Sequence, residues 1–203
     1  AAKQGHDVIM TPNSHCYFDY YQSEAPSEPL SIGGFIPLEK VYFWDPIPSE
    51  LKPEERKHIL GGQANLWTEY IKSYNGVQYM TYARGMALAE TLWSKGKNYR
   101  QFLDNLEQHT SFWKYQGANV AFHIYDLKYH VINNPGKFIK LYFDTPKQAS
   151  VHYNYNDTSF GTMAGSDTIN ILNSGKYVFV ASKMDKRGNP LELDFHLHKG
   201  TAA

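Results

Sequence analysis

Ile59-Leu60-Gly61-Gly62-Gln63-Ala64-Asn65-Leu66-Trp67, followed by Thr68-Glu69, is the stretch on which the fold turns. It opens apolar, continues through small residues and ends on an aromatic ring beside a carboxylate. That pattern reads as a strand whose small side chains suit a crowded interior, such as that of a parallel barrel. An earlier apolar run, Val8-Ile9-Met10, lies between His6 and Pro12 and ends in Thr11-Pro12-Asn13. It reads as a short buried strand followed by a loop. If both strands belong to one parallel barrel, their C-terminal ends share a face, the face at which such barrels bind substrate.

Working outward, Asn13 to Gln22 is a loop dense in aromatic and polar groups, and Ser23 to Pro29 has no periodicity and reads as loop. Leu38 to Tyr42 fits a turn of helix ahead of Trp44-Asp45-Pro46. Pro53-Glu54-Glu55 fits the first turn of another, with proline early and acids at the positive end. From Val77 to Trp93 the residues Met80, Ala83, Ala87, Leu88, Thr91 and Leu92 fall near one face at helical spacing. A further helix is expected after Asn98, a capping residue, with Phe102, Leu103, Leu106 and Trp113 on its apolar face.

The pattern changes near residue 126. Phe138 to Phe143, Ser150 to Tyr155, Thr168 to Leu172, Tyr177 to Ala181 and Leu191 to His198 are strand-like, separated by turn signals such as Asn134-Pro135-Gly136 and Asn173-Ser174-Gly175. Short strands between turns predict a small β-sandwich. The expected organisation is therefore α/β plus all-β. Residues 1–126 form the C-terminal portion of a (β/α)8 TIM barrel, incomplete in itself, and residues 127–203 an immunoglobulin-like β-sandwich.

Composition narrows the function. The 203 residues carry 20 basic and 20 acidic side chains, a balance that gives no electrostatic footprint for nucleic acid. No run of about 18 apolar residues occurs, so no membrane span is expected. The single cysteine, Cys16, cannot form an internal disulfide and reads as a small buried residue. The chain begins Ala-Ala-Lys-Gln-Gly without a signal sequence, which points to a start removed by processing or truncation.

Two clusters carry chemistry, each just after a predicted strand: Tyr17-Phe18-Asp19 and Trp67-Thr68-Glu69. Carboxylates accept hydrogen bonds from sugar hydroxyls, and flat aromatic faces cover sugar C–H surfaces. Asp19, Glu69 and Trp67 supply those groups, and Tyr17 adds a neutral donor. Taken alone, each cluster also fits an ordinary surface or core role. Trp44 fits a structural role better than a place in the site, and Arg84, Glu90 and Trp93 fit packing of the long helix. The histidines show no metal-ligand spacing; His196 and His198 share one face of a strand without a third ligand. Asn156-Asp157-Thr158 fits the glycosylation pattern.

Taken together, His15 to Tyr21, Leu38 to Pro46, Leu60 to Glu69 and Ala83 to Ser94 (Ala-Arg-Gly-Met-Ala-Leu-Ala-Glu-Thr-Leu-Trp-Ser) resemble, in the same order, the family 20 β-N-acetylhexosaminidases. The resemblance covers roughly the first 125 residues, and the trailing β-rich part is similar to the domain that follows the barrel in bacterial members. It implies removal of terminal N-acetylglucosamine or N-acetylgalactosamine from glycans by retaining, substrate-assisted hydrolysis. That scheme is an exception to the usual pair of enzyme carboxylates. The substrate's 2-acetamido oxygen attacks the anomeric carbon to give an oxazolinium, while a glutamic acid protonates the leaving group. By motif position, Tyr17 would hold the acetamido oxygen in line, Trp67 would surround the acetamido methyl, and Asp19 and Glu69 would bind hydroxyls at the far edge. The resemblance also implies an exported protein, periplasmic or extracellular in a bacterium. No cofactor is implied.

The family's acid is a glutamate directly after an aspartate on an earlier barrel strand, and no Asp-Glu dipeptide occurs in this sequence. The expectation is a fragment, inactive alone, whose partner is the missing N-terminal half of the barrel. Two other readings stay open: a non-catalytic carbohydrate-binding module carried by the β-sandwich, and a structural accessory domain that braces a barrel.

Overall fold

The computed structural model describes residues 1–25, 27–132, 138–165, 167–184 and 186–197. They fall into two compact units, Ala1–Ala121 and Phe122–Ala203. In the first, strand β1 (Val8–Met10) is followed by short helices α1 (Leu38–Tyr42) and α2 (Pro53–Arg56), strand β2 (Ile59–Gly62), and long helices α3 (Tyr74–Trp93) and α4 (Tyr99–Tyr115). In the second come β3 (Lys128–Ile132), β4 (Ile139–Asp144), β5 (Ser150–Tyr155), β6 (Thr158–Ala164), β7 (Thr168–Ile171), β8 (Gly175–Lys183), β9 (Lys186–Arg187) and β10 (Leu191–Phe195).

β1 and β2 pair in parallel, with Val8 opposite Ile59 and Ile9 opposite Gly61, so β2 carries Leu60 as an extra residue. Gly61 takes φ 149° at this irregularity, a conformation that disfavours side chains. The expected strand to Trp67 is shorter, ending at Gly62, but the two segments stay side by side. Gln63 N–H donates to Met10 O (2.9 Å), Asn65 N–H to Cys16 O (2.8 Å) and Phe18 N–H to Asn65 O (2.8 Å). A parallel bridge joins Tyr17 to Asn65.

Gly62 is small because Trp44 lies across it. A Cβ there would stand 2.6 Å from the indole, and Trp44 is itself buried. Gly62→Ala is therefore expected to lower stability by about 1–3 kcal/mol through overpacking, read as a drop in the urea midpoint at constant m-value. An unchanged midpoint would show that the indole moves freely.

α3 begins three residues earlier than its apolar spacing predicts, because Ser73 Oγ accepts the Gly76 N–H (3.2 Å) and caps it. α4 begins after Asn98, whose side chain accepts the Gln101 N–H (3.1 Å). The helix buries Phe102, Leu103 and Leu106, while Trp113 rests half-buried against Tyr82. Thr91 Oγ1 donates to Tyr42 O (2.8 Å), and Lys97 Nζ to Tyr42 O (2.9 Å) and Trp44 O (2.8 Å), which satisfies carbonyls at the end of α1. Trp93 corrects the packing expectation: it stands 87% exposed at the end of α3.

In the second unit β10-β8-β5-β6 form one antiparallel sheet, with β9 beside β8, and β3-β4-β7 form another. Alternate residues Tyr177, Phe179 and Ala181 of β8 are buried, as are Leu141 and Phe143 of β4. The Phe143 and Phe179 rings meet across the sheets at 5.0 Å. The β5–β6 turn is Asn156-Asp157, both at positive φ (46° and 62°), as a two-residue hairpin of this twist requires. The Asn134-Pro135-Gly136 turn and His198 lie outside the described residues.

Candidate functional site

The parallel register of the first unit decides what meets at its end. Beyond the Tyr17–Asn65 bridge, Phe18 and Asp19 lie in a turn closed by the Tyr20 N–H donating to Tyr17 O (3.2 Å), and Trp67 follows two residues after Asn65. Phe18 is buried in the core. All four residues singled out from the sequence, Tyr17, Asp19, Trp67 and Glu69, line one cavity of about 450 Å³, within the range of about 300–1,000 Å³ typical of small-molecule sites.

Their environments differ. Trp67 is 52% exposed and Glu69 is exposed, whereas Tyr17 is half-buried. The Tyr17 ring stands 6.4 Å from Trp67 and edge-on to Tyr20 at 5.7 Å. Asp19 is only 6% exposed, and its Oδ1 is buried without a hydrogen-bond partner. Burial pushes the Asp19 carboxyl above the usual carboxylate range. The Glu69 carboxylate adds to this, while the backbone N–H groups of Asp19 and Trp67 and the Arg84 guanidinium act against it. A desolvated, unpartnered acceptor on a cavity-lining residue gains from any O–H or N–H donor that reaches it.

Tyr20, Ile32, Gly33 and Gly34 complete the wall, and sequence patterning did not find them. They come from the aperiodic loop after Asp19, which closes on itself through an isolated parallel bridge between Tyr21 and Phe35. The available signal was the Gly33-Gly34 pair. Gly34 has φ 68°, and a Cβ there would lie 2.1 Å from the Tyr20 ring. Ser31 Oγ donates to Asp19 O (2.6 Å), tying the loop to the site residue itself.

Other candidates fall away. Trp44 is buried against Gly62 and stacks on His15 (5.9 Å). Cys16 is buried, and desolvation pushes its thiol up to about 11, so it is not a thiolate at neutral pH. Among the described residues no group of three or more His, Cys, Asp or Glu could hold a metal ion. Nor is any described helix long and apolar enough to cross a membrane.

The profile of the glycosyl hydrolase family 20 catalytic domain matches residues 1–96, which contain the whole cavity. A beta-hexosaminidase of Porphyromonas gingivalis is 38% identical over 134 residues, 64% of this chain and 16% of that protein. One of Vibrio furnissii is 40% identical over 43% of this chain and 15% of its own length. Thus the chain spans about a sixth of the length of these curated relatives. Among solved structures, the Vibrio harveyi exo beta-N-acetylglucosaminidase in complex with N-acetylglucosamine is 34% identical, with a TM-score of 0.52 over 60% of this chain and 20% of that one. With the pocket residues inside the matched segment, residues 1–96 are a partial region of the glycosyl hydrolase family 20 catalytic domain.

Proposed function

We propose that the chain supplies one wall of the terminal-sugar pocket of an exo-acting β-N-acetylhexosaminidase, an exported enzyme that removes N-acetylglucosamine or N-acetylgalactosamine from glycans. The first unit is the end of a (β/α)8 barrel, and the second is an immunoglobulin-like sandwich. The observation that carries this reading is that Asp19, whose Oδ1 is buried and unpartnered, lines one cavity with Tyr17, Trp67 and Glu69. In this pocket Asp19 and Glu69 accept hydrogen bonds from sugar hydroxyls. A sugar lacking the matching hydroxyl leaves Asp19 unsatisfied, which gives strong discrimination. Tyr17 donates its phenolic hydrogen to the acetamido oxygen and holds it in line with the anomeric carbon, a contribution of orientation and charge stabilisation. Trp67 covers the acetamido methyl. The proton donor for the leaving group belongs to the rest of the barrel, so this chain recognises the sugar without cleaving it.

Titrating N-acetylglucosamine into the isotope-labelled 203-residue chain is expected to shift the Trp67 indole and the amides around Asp19 and Glu69, with glucose giving smaller shifts. The same preparation is expected to release no chromophore from a nitrophenyl N-acetylglucosaminide. Equal responses to the two sugars would overturn the acetamido reading. Turnover that disappears in Glu69→Ala would overturn the assignment of the acid to another part of the enzyme.

A further inference from the structure

Arg84 heads the fully buried side chains of the described residues by size, with 1% of its surface exposed. An aliphatic residue would serve helix packing there, since a buried guanidinium is costly unless its donors are met. They are met almost entirely by backbone carbonyls. Nε donates to Met80 O (3.1 Å), one turn back on α3, and Nη2 to the same oxygen (2.8 Å). Nη1 donates to Tyr20 O (3.0 Å) and Ile36 O (3.1 Å), and Nη2 also donates to Phe18 O. The guanidinium lies over the Phe18 ring at 4.9 Å.

These acceptors are not scattered. The Phe18 and Tyr20 carbonyls flank Asp19, and the Asp19 carbonyl itself takes the Ser31 hydroxyl (2.6 Å). Three successive carbonyls under the pocket floor are therefore each tied by a side-chain donor. Ile36 is the residue at which the loop bearing Ile32, Gly33 and Gly34 pairs back with its own start, its N–H donating to Tyr21 O (2.8 Å). One planar fork thus spans the residues around Asp19 and the end of the wall opposite.

We infer that Arg84, which lines no part of the cavity, is the positioning residue for sugar recognition: it fixes the peptide planes on both sides of Asp19 and clamps the return of the 21–36 loop. The pocket then keeps its shape without a ligand. The inference rests on the proposed sugar reading. Charge contributes as well. Asp19 faces Glu69 and Arg84, and Arg84 faces Glu28, Asp19 and Tyr79. Burial pulls the guanidinium down to about 9, so it is still a cation at neutral pH and attracts the Asp19 carboxylate.

The test compares Arg84→Met and Arg84→Lys in the full chain. It reads the Asp19 carboxyl titration and the amides of residues 18–20 and 32–34 by NMR without sugar, then N-acetylglucosamine affinity. Arg84→Met is expected to raise the Asp19 titration midpoint and to weaken sugar binding at least tenfold. Arg84→Lys keeps the charge but cannot bridge the three distant carbonyls. Its Asp19 midpoint is expected to stay near that of the wild type while the loop amides shift and affinity falls about tenfold. A purely packing role would lower the melting temperature of both variants and leave the midpoint and affinity of the folded protein unchanged, and that result overturns the inference. If Arg84→Met does not fold, Arg84→Lys decides: wild-type loop amides and wild-type affinity refute positioning. If the wild type binds no sugar yet the loop amides shift in Arg84→Lys, the sugar reading fails and the positioning of Asp19 stands.

Discussion

Phe179→Ala is expected to remove about 3–5 kcal/mol from the stability of the second unit. Phe179 is fully buried on β8, the strand that pairs with β5, β9 and β10. Its ring meets Phe143 of the facing sheet at 5.0 Å, and Tyr153 and Tyr177 of its own sheet at 6.0 Å each. Truncation loses the burial of a large ring and leaves a hole that a pleated backbone fills poorly. A domain whose total stability is about 5–15 kcal/mol has little to spare for such a change. Urea unfolding at constant m-value measures it. Phe179→Leu, which keeps most of the volume, is expected to cost less than about 1.5 kcal/mol. Equal and small losses in the two variants would mean that the sheets do not depend on this ring.

Phe179 also shows which features were legible in the sequence. Tyr177, Phe179 and Ala181 alternate, and β8 is central, so period-two patterning found it; β5 was bounded at Ser150 and Tyr155 for the same reason. β6 escaped because Thr158-Ser159 and Gly161-Thr162 offer little apolar alternation. It pairs only with β5 among the described residues, so packing demands less of its sequence. Its signal lies in the Asn156-Asp157 turn, which also fits a glycosylation pattern. β3 is likewise an edge strand, with all five residues exposed.

The site divides in the same way. Tyr17, Asp19, Trp67 and Glu69 sit in two short motifs that follow the parallel strands, and the Tyr17–Asn65 bridge keeps the two segments together beyond them. Tyr20, Ile32, Gly33, Gly34 and the carbonyls held by Arg84 depend on how an irregular loop folds back. Backbone acceptors have no sequence identity, so the partners of Arg84 could not be read from residue types. Its burial and its bonds appear only in three dimensions.

Asp19→Asn is expected to separate stability from recognition. In the ligand-free chain the Asp19 carboxyl is desolvated, with Oδ1 unpartnered, and its pKa is raised above the ordinary 3.8. Folding therefore favours the protonated form, and the wild type loses stability as pH rises from about the unfolded value of 3.8 through the folded one. Asparagine keeps one oxygen for the backbone N–H groups of Asp19 and Trp67 and carries no charge to desolvate. The variant should melt above the wild type at pH 7, and the difference should close as pH falls below 3.8, where aspartate is neutral in both states. Recognition should move the other way. Replacing a carboxylate acceptor with an amide removes a charge-assisted hydrogen bond of about 1.5–3 kcal/mol, roughly 10- to 150-fold in affinity. Wild-type affinity for N-acetylglucosamine should itself weaken as acid protonates Asp19. Melting curves across pH, paired with sugar titrations, test both halves. A variant less stable than the wild type at pH 7 would show that Asp19 serves the fold. One that is more stable and still binds the sugar unchanged would remove Asp19 from the pocket's chemistry. The expected outcome, a sturdier protein with a weakened site, is what a carboxylate held unsatisfied for a ligand predicts.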